Sequence, residues 1–360
     1  MLKILIVDDS SVFRKVLKEI VSSTGIPQVI YTAGDGIEAL DILKYSDVDI
    51  ALLDIIMPKL GGIATLKIIK DKYPSVKVII VSGISEDNIK LTMEALSNGA
   101  IDFIKKPTSD GVGIQKIKSD LKLIFNQILI SKNTKNILST LENKDSYNKN
   151  KLSEATLNIR KHRQSNYKEP DIILIAASTG GPAALDKIFR NIEGNINIPI
   201  LVVQHMPAEF TKSLAESLNN ICKLKVNEAY NGNVIERGEV LIAPGGIDMS
   251  VTSINGSKVI IAESSTDLKG ARPSADFLFK SVANEYKGKK VLVVVLTGMG
   301  ADGTEGVKVL KELCDCYCIT ESETSCVVYG MPRCIDEAKL SNESIHIRDI
   351  GEMINTLTIL

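Results

Sequence analysis

The stretch Asp171–Leu185 constrains the fold of this chain most, because it reads as a buried strand, a tight turn and a helix in succession. Ile172–Ile175 is continuously apolar and rich in β-branched residues, which is typical of a strand covered on both faces of a parallel sheet. In Gly180-Gly181-Pro182 the backbone can turn without a Cβ in the way, and the proline suits the first turn of a helix. The pattern predicts an open α/β sheet with the Ser178 hydroxyl at its carboxyl edge, where ligands and reacting groups gather.

Two interpretations of this turn remain open from the turn alone. In the first, the free N–H groups of a glycine-rich turn bind an anion at the start of a helix. The turn lacks the lysine of a complete phosphate-binding loop. In the second, Ser178 is a nucleophile. A serine hydroxyl is a weak nucleophile near neutral pH, so the second interpretation requires a base close in space.

Residues 1–125 show strands and helices alternating five times, which predicts a parallel, doubly wound sheet of five strands. Right-handed connections bring the carboxyl ends of such strands to one edge of the sheet. Polar side chains stand at four of these strand ends: Asp8 and Asp9 after the first strand, Asp54 after the third, Ser82 after the fourth and Lys106 after the fifth.

This set of side chains predicts a magnesium-dependent phosphorylation site. Three carboxylates at one edge repel one another unless a hard cation joins them, and Mg²⁺ prefers oxygen ligands. A lysine and a hydroxyl beside them suit a phosphoryl oxygen, and one acid is then available to form an aspartyl phosphate. Acids at strand ends also cap the following helix, so Asp8 and Asp9 alone would indicate little. The complete set is much more specific.

Residues 1–125 resemble a response-regulator receiver domain, which has a flavodoxin-like fold. The matching segments are Ile6-Val7-Asp8-Asp9-Ser10, Asp54-Ile55-Ile56-Met57-Pro58, Ser82-Gly83 and Lys105-Lys106-Pro107. The resemblance implies that Asp54 is the phosphorylated residue. It implies that Mg²⁺ is held by Asp8, Asp9, Asp54 and the Ile56 carbonyl. It also implies a switch made of Ser82, Lys106 and Phe103, in which the aromatic ring changes rotamer on phosphorylation. Leu60-Gly61-Gly62 departs from the more usual Met-Asp-Gly of the family, beyond the site.

Residues 126–170 are predicted to form a polar linker between two domains. Lys, Asn and Ser dominate from about Ser131 onward, and helical spacing of apolar residues survives only near Ile137–Leu141. Such a composition is too polar to bury a core of its own, so we expect a linker with a partly helical start. His162 lies here between two basic residues and is expected on a solvated basic face.

Two further polar residues follow buried strands in the second half of the chain. His205, one of three histidines, comes after the apolar run Ile198–Val203, and Asp302 follows Val291–Leu296 in a glycine-rich turn. Each alone has a structural interpretation, as a packed histidine or as an N-cap of the next helix. Together with Ser178 they predict a hydroxyl, an imidazole and a carboxylate at one sheet edge. In such a set the histidine takes the serine proton and the aspartate orients the histidine.

Residues 171–360 resemble the catalytic domain of the chemotaxis protein-glutamate methylesterase/protein-glutamine glutaminase (CheB) family. The matching segments are Ala177-Ser178-Thr179-Gly180-Gly181-Pro182, Gln204-His205-Met206-Pro207, Arg272-Pro273-Ser274, Leu296-Thr297-Gly298-Met299-Gly300-Ala301-Asp302-Gly303 and Ser325-Cys326-Val327-Val328-Tyr329-Gly330-Met331-Pro332. The resemblance implies a doubly wound α/β domain with a mainly parallel sheet, Ser178 as nucleophile, His205 as general base and acid, and Asp302 as its orienting carboxylate. It also implies the Met299 N–H as oxyanion donor, with Thr179 supporting the site. The order Ser, His, Asp without a G-x-S-x-G elbow sets the chain apart from ordinary α/β-hydrolases.

Composition argues against several other classes of protein. A formal net charge of −1 gives no electrostatic reason to expect nucleic-acid binding. No apolar run approaches the roughly 20 residues that a membrane span needs, and two acids come too early for a secretory signal. We therefore expect a cytoplasmic protein without membrane insertion. All six cysteines follow residue 220, and Cys314, Cys316 and Cys318 alternate without a C-x-x-C pair or nearby histidine, which favours buried thiols over a metal site or disulfide.

The two resemblances together imply a response-regulator enzyme of chemotactic adaptation. Its expected substrates are methyl-accepting chemoreceptors, whose glutamate γ-methyl esters it hydrolyses and whose specific glutamines it deamidates, with no cofactor at the hydrolase site. Its expected phosphodonor is the chemotaxis histidine kinase, and the receiver is expected to cover the active-site edge until Asp54 is phosphorylated. Two alternatives are a receiver-controlled esterase or amidase acting on another protein, and a phosphorylation-dependent scaffold. The intact Ser178, His205 and Asp302 argue against a scaffold.

Overall fold

The computed structural model describes residues 1–83, 85–107, 113–142, 167, 169–263 and 272–358. The chain forms two compact units, Met1–Thr134 and Lys135–Leu360. Each unit contains a parallel sheet with helices in its connections, so the predicted α/β fold class is confirmed.

The first unit is built on a five-stranded parallel sheet. Its strands are β1 (Leu2–Val7), β2 (Gln28–Ala33), β3 (Ile50–Asp54), β4 (Lys77–Ser82) and β5 (Asp102–Lys105). Its helices are α1 (Ser11–Ser23), α2 (Gly36–Tyr45), α3 (Gly62–Lys72), α4 (Glu86–Ser97) and α5 (Ile114–Glu142). The strand order is β2-β1-β3-β4-β5, which places β1 and β3 side by side at the centre. The acids that follow or end these two strands therefore share one sheet edge.

Helix α5 extends well past residue 125 and ends at Glu142 after 29 residues. The first part of the predicted linker is therefore helical, as its apolar spacing indicated. Residues 143–166, which include His162, lie outside the described residues.

The second unit is built on a seven-stranded parallel sheet and a separate antiparallel pair of strands. Its strands are β6 (Ile172–Ala177), β7 (Ile200–Gln204), β8 (Lys225–Glu228), β9 (Glu239–Ile242), β10 (Asp248–Ile254), β11 (Ser257–Glu263), β12 (Lys290–Val295), β13 (Asp315–Glu321) and β14 (Glu343–Ile345). Its helices are α6 (Gly181–Asn191), α7 (Ala208–Asn219), α8 (Ala275–Glu285), α9 (Thr304–Leu313), α10 (Met331–Glu337) and α11 (Ile347–Thr358). The order β14-β13-β12-β6-β7-β9-β8 puts β6 between β12 and β7.

The three central strands β12, β6 and β7 form the rigid support of the second unit. Their side chains are buried almost without exception, as their continuous apolar sequences predict. Each fully buried Ile, Leu or Val contributes about 1.5–3 kcal/mol relative to an exposed one. The well-packed strands thereby fix the positions of the residues that follow them.

The six cysteines are all free thiols. Only Cys318 on β13 is buried, whereas the other five are partly exposed, so the expectation of buried thiols is fully met at one position. Burial raises the pKa of Cys316 to about 12, which makes its thiol unreactive near neutral pH. Among the described residues, no cysteine belongs to a cluster able to hold a metal ion, and no helix is long and apolar enough to cross a membrane.

Candidate active site and phosphorylation site

Ser178 and His205 are the first residues after two adjacent strands, β6 and β7. Ala177 pairs with Gln204 in the parallel register, and the His205 N–H donates to the Ala177 carbonyl at 3.0 Å. Neighbouring strands run about 4.8 Å apart, so the hydroxyl and the imidazole start from adjacent backbones. Within the described residues no hydrogen bond joins the two side chains, which is common at such sites before a substrate binds.

Asp302 follows β12 and contacts the imidazole directly. The His205 Nε2 and the Asp302 Oδ2 lie 2.8 Å apart, with 11% and 21% of the two side chains exposed. This contact leaves Nδ1 as the ring nitrogen that can take a proton from elsewhere. The strand ends therefore bring together all three residues that the sequence predicts for this site.

The Asp302 carboxylate is held by the N-terminus of helix α8. It accepts hydrogen bonds from the Ser274 hydroxyl at 2.9 Å, the Ala275 N–H at 2.6 Å and the Asp276 N–H at 3.0 Å. Burial on its own would raise the pKa of Asp302, but the His205 hydrogen bond and the two amides outweigh it and hold the pKa below its ordinary value. The carboxylate is therefore ionised and oriented at neutral pH.

The interpretation of Asp302 as an N-cap of the following helix is wrong. Gly303 occupies the N-cap position of α9 and has no side chain with which to provide a capping hydrogen bond. The Asp276 carboxylate instead accepts from the Gly306 N–H at 2.7 Å in the first turn of α9. Asp302, which precedes α9, therefore binds the N-terminus of α8, and Asp276 of α8 binds the N-terminus of α9. No role was assigned to Ser274 or Asp276 from the sequence, although a serine before a helical pattern is a recognisable capping signal.

The turn after β12 packs directly against the candidate nucleophile. The Ser178 N–H donates to the Thr297 carbonyl at 3.0 Å, and a Cβ on Gly298 would stand only 2.7 Å from the Ser178 Cβ, so only glycine fits there. The Thr297 hydroxyl donates to the Thr179 carbonyl at 2.9 Å. Within the described residues, the Met299 N–H has no hydrogen-bond acceptor, so it is available to a ligand. Thr179 directly follows Ser178 in the chain, and Met299 directly follows Gly298, the residue that packs against the Ser178 Cβ.

A second cluster lies at the carboxyl edge of the first unit. The carboxylates of Asp8, Asp9 and Asp54 offer oxygens within 4.8 Å of one another. Asp8 and Asp54 are buried, whereas Asp9 is exposed. Three converging carboxylates in this arrangement fit Mg²⁺, which prefers oxygen ligands and keeps several waters. Ile56 follows Asp54 by two residues, and 58% of it is exposed.

Lys106 joins two of these acids. Its Nζ lies 2.8 Å from the Asp8 Oδ2 and 2.8 Å from the Asp54 Oδ2. Burial on its own would lower the pKa of Lys106, but these two hydrogen bonds raise it, so the ammonium stays charged. Ser82 is buried at the end of β4 beside this lysine, whose N–H donates to the Ser82 carbonyl at 2.8 Å. Phe103 lies within β5, opposite Ile80, and is half-buried.

We expect Mg²⁺ to raise the melting temperature of the protein, because a divalent cation relieves the repulsion among the three carboxylates in the folded state alone. Saturation at about 100 times the dissociation constant would add about 2.7 kcal/mol. Scanning calorimetry with and without Mg²⁺ measures the shift. Asp9→Asn should reduce it, whereas Asp41→Asn, an exposed acid on α2, should not. Equal shifts in both variants would contradict a site at these acids.

Comparison with known proteins finds a family for each of the two units. Residues 173–354 match the CheB methylesterase family, and residues 4–118 match the response regulator receiver domain. A protein-glutamate methylesterase/protein-glutamine glutaminase of Halalkalibacterium halodurans is 37% identical over 354 residues, covering 98% of this chain and 97% of the relative. One of Bacillus subtilis is 35% identical over 358 residues, covering 99% and 98%.

A solved structure, the CheB methylesterase catalytic domain of Thermotoga maritima, is 38% identical, covers 52% of this chain and 97% of its own, and aligns with a TM-score of 0.49. The family model covers half of the chain, and the relatives match it almost from end to end. The chain therefore belongs to the CheB methylesterase family, with a response regulator receiver domain preceding the methylesterase domain.

Proposed function

We propose that this protein is a phosphorylation-regulated hydrolase that removes methyl esters from glutamate side chains of chemoreceptors and deamidates specific receptor glutamines. The observation that carries the proposal is the 2.8 Å contact between His205 and Asp302, with Ser178 at the end of the adjacent strand. This is the constellation that acyl transfer from an ester or amide requires. The methylated helices of chemoreceptors and the chemotaxis histidine kinase are cytoplasmic, so the proposed location of this protein is the cytoplasm.

In the proposed acylation step, the Ser178 Oγ attacks the ester carbonyl carbon while the His205 Nδ1 takes the hydroxyl proton. The carbonyl oxygen becomes an oxyanion that accepts a hydrogen bond from the Met299 N–H. The ionised Asp302 stabilises the imidazolium through Nε2–H. Collapse of the tetrahedral intermediate breaks the C–O bond to the methoxy group. His205 returns its proton to that oxygen, and methanol leaves.

In the proposed deacylation step, water attacks the acyl-enzyme and gives its proton to His205. The second tetrahedral intermediate collapses to a free glutamate side chain, and the proton returns to the Ser178 Oγ. A glutamine substrate follows the same path, with ammonia as the leaving group. Side chains and one backbone N–H handle every proton and charge in these steps, so the proposed mechanism calls for no cofactor at the hydrolase site.

The receiver cluster is the proposed control of this activity. The Asp54 carboxylate accepts a phosphoryl group from the chemotaxis histidine kinase, and Lys106 and the Ser82 hydroxyl bind the new phosphoryl oxygens. Asp8, Asp9, Asp54 and the Ile56 carbonyl would hold Mg²⁺, which would supply charge neutralisation for that transfer. The phosphoryl group carries a charge of about −1.5 to −2 in place of the −1 of the carboxylate, and its three acceptor oxygens then favour a different receiver state, with Phe103 proposed to change rotamer.

The activity itself is tested by methanol release from membranes that carry methylated chemoreceptors. We expect the wild-type protein to release methanol and to convert receptor glutamate methyl esters to glutamate, detected by peptide mass spectrometry. Release from another methylated protein but not from receptors would favour the alternative of a receiver-controlled esterase with a different target. No release from any methylated protein would favour the scaffold.

We expect a small-molecule phosphodonor with Mg²⁺ to raise the rate of methanol release by about 5- to 150-fold, the usual range of coupling between two sites. Asp54→Asn should abolish this response, because an amide oxygen does not accept the phosphoryl group. Asp41→Asn is the matched control and should respond like wild type. An unchanged response in Asp54→Asn would place the control elsewhere in the chain.

A further inference from the structure

We propose that Gln204 is a positioning residue of the hydrolase site, one that ties the backbones of the nucleophile and the base together. The inference rests on the proposed function of Ser178 and His205 and deepens it. Gln204 is the last residue of β7, and only 1% of it is exposed. It therefore lies beneath the site, where it cannot contact a substrate.

The amide of Gln204 reaches both residues at once. Its Nε2 donates to the Ser178 carbonyl at 2.9 Å and to the His205 carbonyl at 3.1 Å. The two N–H bonds of one planar NH₂ group thus fix the backbone of both residues relative to each other. The Ser178 carbonyl also accepts the Gly181 N–H at 2.8 Å. Among the described residues, Gln204 is the sole donor to the His205 carbonyl.

The surroundings of the Gln204 Oε1 show which way round the side-chain amide lies. The Gln204 Oε1 is buried and has no hydrogen-bond partner among the described residues. It lies against Gly181, where an added Cβ would overlap it and would stand 2.8 Å from the Gln204 Cδ. A reversed amide would set Oε1 against two carbonyl oxygens, which repel it, so the network permits one orientation. Glycine at 181 is what leaves room for this side chain.

The buried Gln204 Oε1, which has no partner among the described residues, lowers the stability of the fold. A side chain of similar length without polar atoms would avoid that cost, because burying an unpaired polar group is unfavourable. Packing alone would therefore favour an apolar residue at the end of an apolar strand. The amide is explained by its two donated hydrogen bonds, and these go to the two residues whose relative placement the reaction needs.

The expected consequence of losing the amide is a lower kcat with little change in KM. A displacement of about 1 Å between reacting groups can cost about 10²-fold in rate. Substrate binding should be nearly unaffected, because Gln204 is buried below the site. We therefore expect Gln204→Met to lower kcat for methanol release by about 10- to 100-fold, with KM within about twofold of wild type.

Gln28 in the receiver provides a matched control. Its Nε2 also donates to a backbone carbonyl, that of Val21 at 2.9 Å, and its Oε1 is also buried without a partner among the described residues. Gln28→Met removes a similar amide outside the hydrolase site and should leave kcat unchanged. A folded Gln204→Met variant with kcat within about twofold of wild type would overturn the proposal.

Gln204→Glu gives a second test, which still applies if the methionine variant fails to fold. A protonated carboxylic acid keeps one O–H donor for the two carbonyls, whereas an ionised carboxylate has none and repels both. Burial raises the pKa of a carboxylic acid, so a glutamate at this buried position should ionise only as the pH rises through about 6 to 9. The rate of Gln204→Glu divided by that of wild type should therefore fall over this range. The same ratio for Gln204→Met should stay flat. A flat ratio for Gln204→Glu would overturn the proposal.

The wild-type assay separates this inference from the function on which it rests. Wild type that hydrolyses receptor esters faster than Ser178→Ala, together with Gln204 variants that match wild type, overturns the positioning role alone. Equal rates for wild type and Ser178→Ala overturn the proposed function, and the positioning role with it.

Discussion

Replacing Ser178 with alanine is expected to lower kcat for methyl ester hydrolysis by about 10⁴- to 10⁶-fold, the range that follows loss of a serine nucleophile. The Ser178 Oγ is the atom that forms the acyl bond in the proposed mechanism, and alanine also leaves His205 without a proton to accept. The Met299 N–H and substrate binding remain and supply only residual catalysis. KM should change little, because the methyl side chain fits the same space.

The decisive measurement is methanol release together with labelling by a serine-directed phosphonate reagent. Wild type should gain one reagent group at Ser178, found by peptide mass spectrometry, and the alanine variant none. Ser344→Ala, at an exposed position on β14, is the matched control and should keep full activity and labelling. If Ser178→Ala retained activity within about tenfold of wild type, another residue would have to form the acyl-enzyme.

The parts of the fold that carry the site could be predicted from sequence because they are parallel strands buried on both faces. Such strands need continuous apolar runs, and β6, β7 and β12 have them. The polar residue that follows each run then marks the carboxyl edge of the sheet. Ser178, His205 and Asp302 lie in the polar segments that follow these runs and could be predicted from them, as could Asp8, Asp54 and Lys106 from the segments that follow strands of the receiver.

The edges of the second sheet could not be predicted in the same way. β8 (Lys225–Glu228) and β14 (Glu343–Ile345) are short edge strands that contain polar residues, so they lack the apolar run that would predict a strand. The antiparallel pair β10 and β11 is amphipathic and lies outside the parallel sheet. Strand order depends on contacts distant in sequence, which local patterns do not encode.

The residues that hold the catalytic side chains in place could not be predicted either, because their contacts also join segments that are distant in sequence. The carboxylate of Asp302 binds the start of α8, 26 to 28 residues away in sequence, and this contact exists only because α8 and α9 pack with their N-termini together. Gln204 carried a weaker but usable signal. It is a polar residue that ends the apolar run Ile200–Val203, directly before His205.

The second large effect is expected for Asp302→Asn, which should lower kcat by about 10⁴-fold. Oδ2 of the native carboxylate requires a proton on the His205 Nε2, which leaves Nδ1 unprotonated and able to accept the Ser178 proton. An asparagine whose oxygen takes the place of Oδ1 keeps the hydrogen bonds from the Ser274 hydroxyl and the Asp276 N–H. Its NH₂ group then takes the place of Oδ2, where it faces the imidazole and leaves the Ala275 N–H without its acceptor. The ring is thereby held in the tautomer that carries its proton on Nδ1, where it blocks proton transfer.

The pH dependence of the free energy of unfolding should test the role of the Asp302 carboxylate independently of catalysis. The folded pKa of Asp302 lies below its ordinary value of 3.8, so the ionised group stabilises the fold fully above that value, and the contribution is lost as pH falls through the folded pKa. Asp302→Asn should therefore lower the free energy of unfolding at pH 7 and differ less and less from wild type below about pH 4. Urea denaturation across this range measures the difference, with Asp41→Asn, at an exposed position on α2, as the control variant. A difference that stayed constant down to pH 3 would mean that the ionised carboxylate does not hold the start of α8, and the orientation of His205 would then need another source.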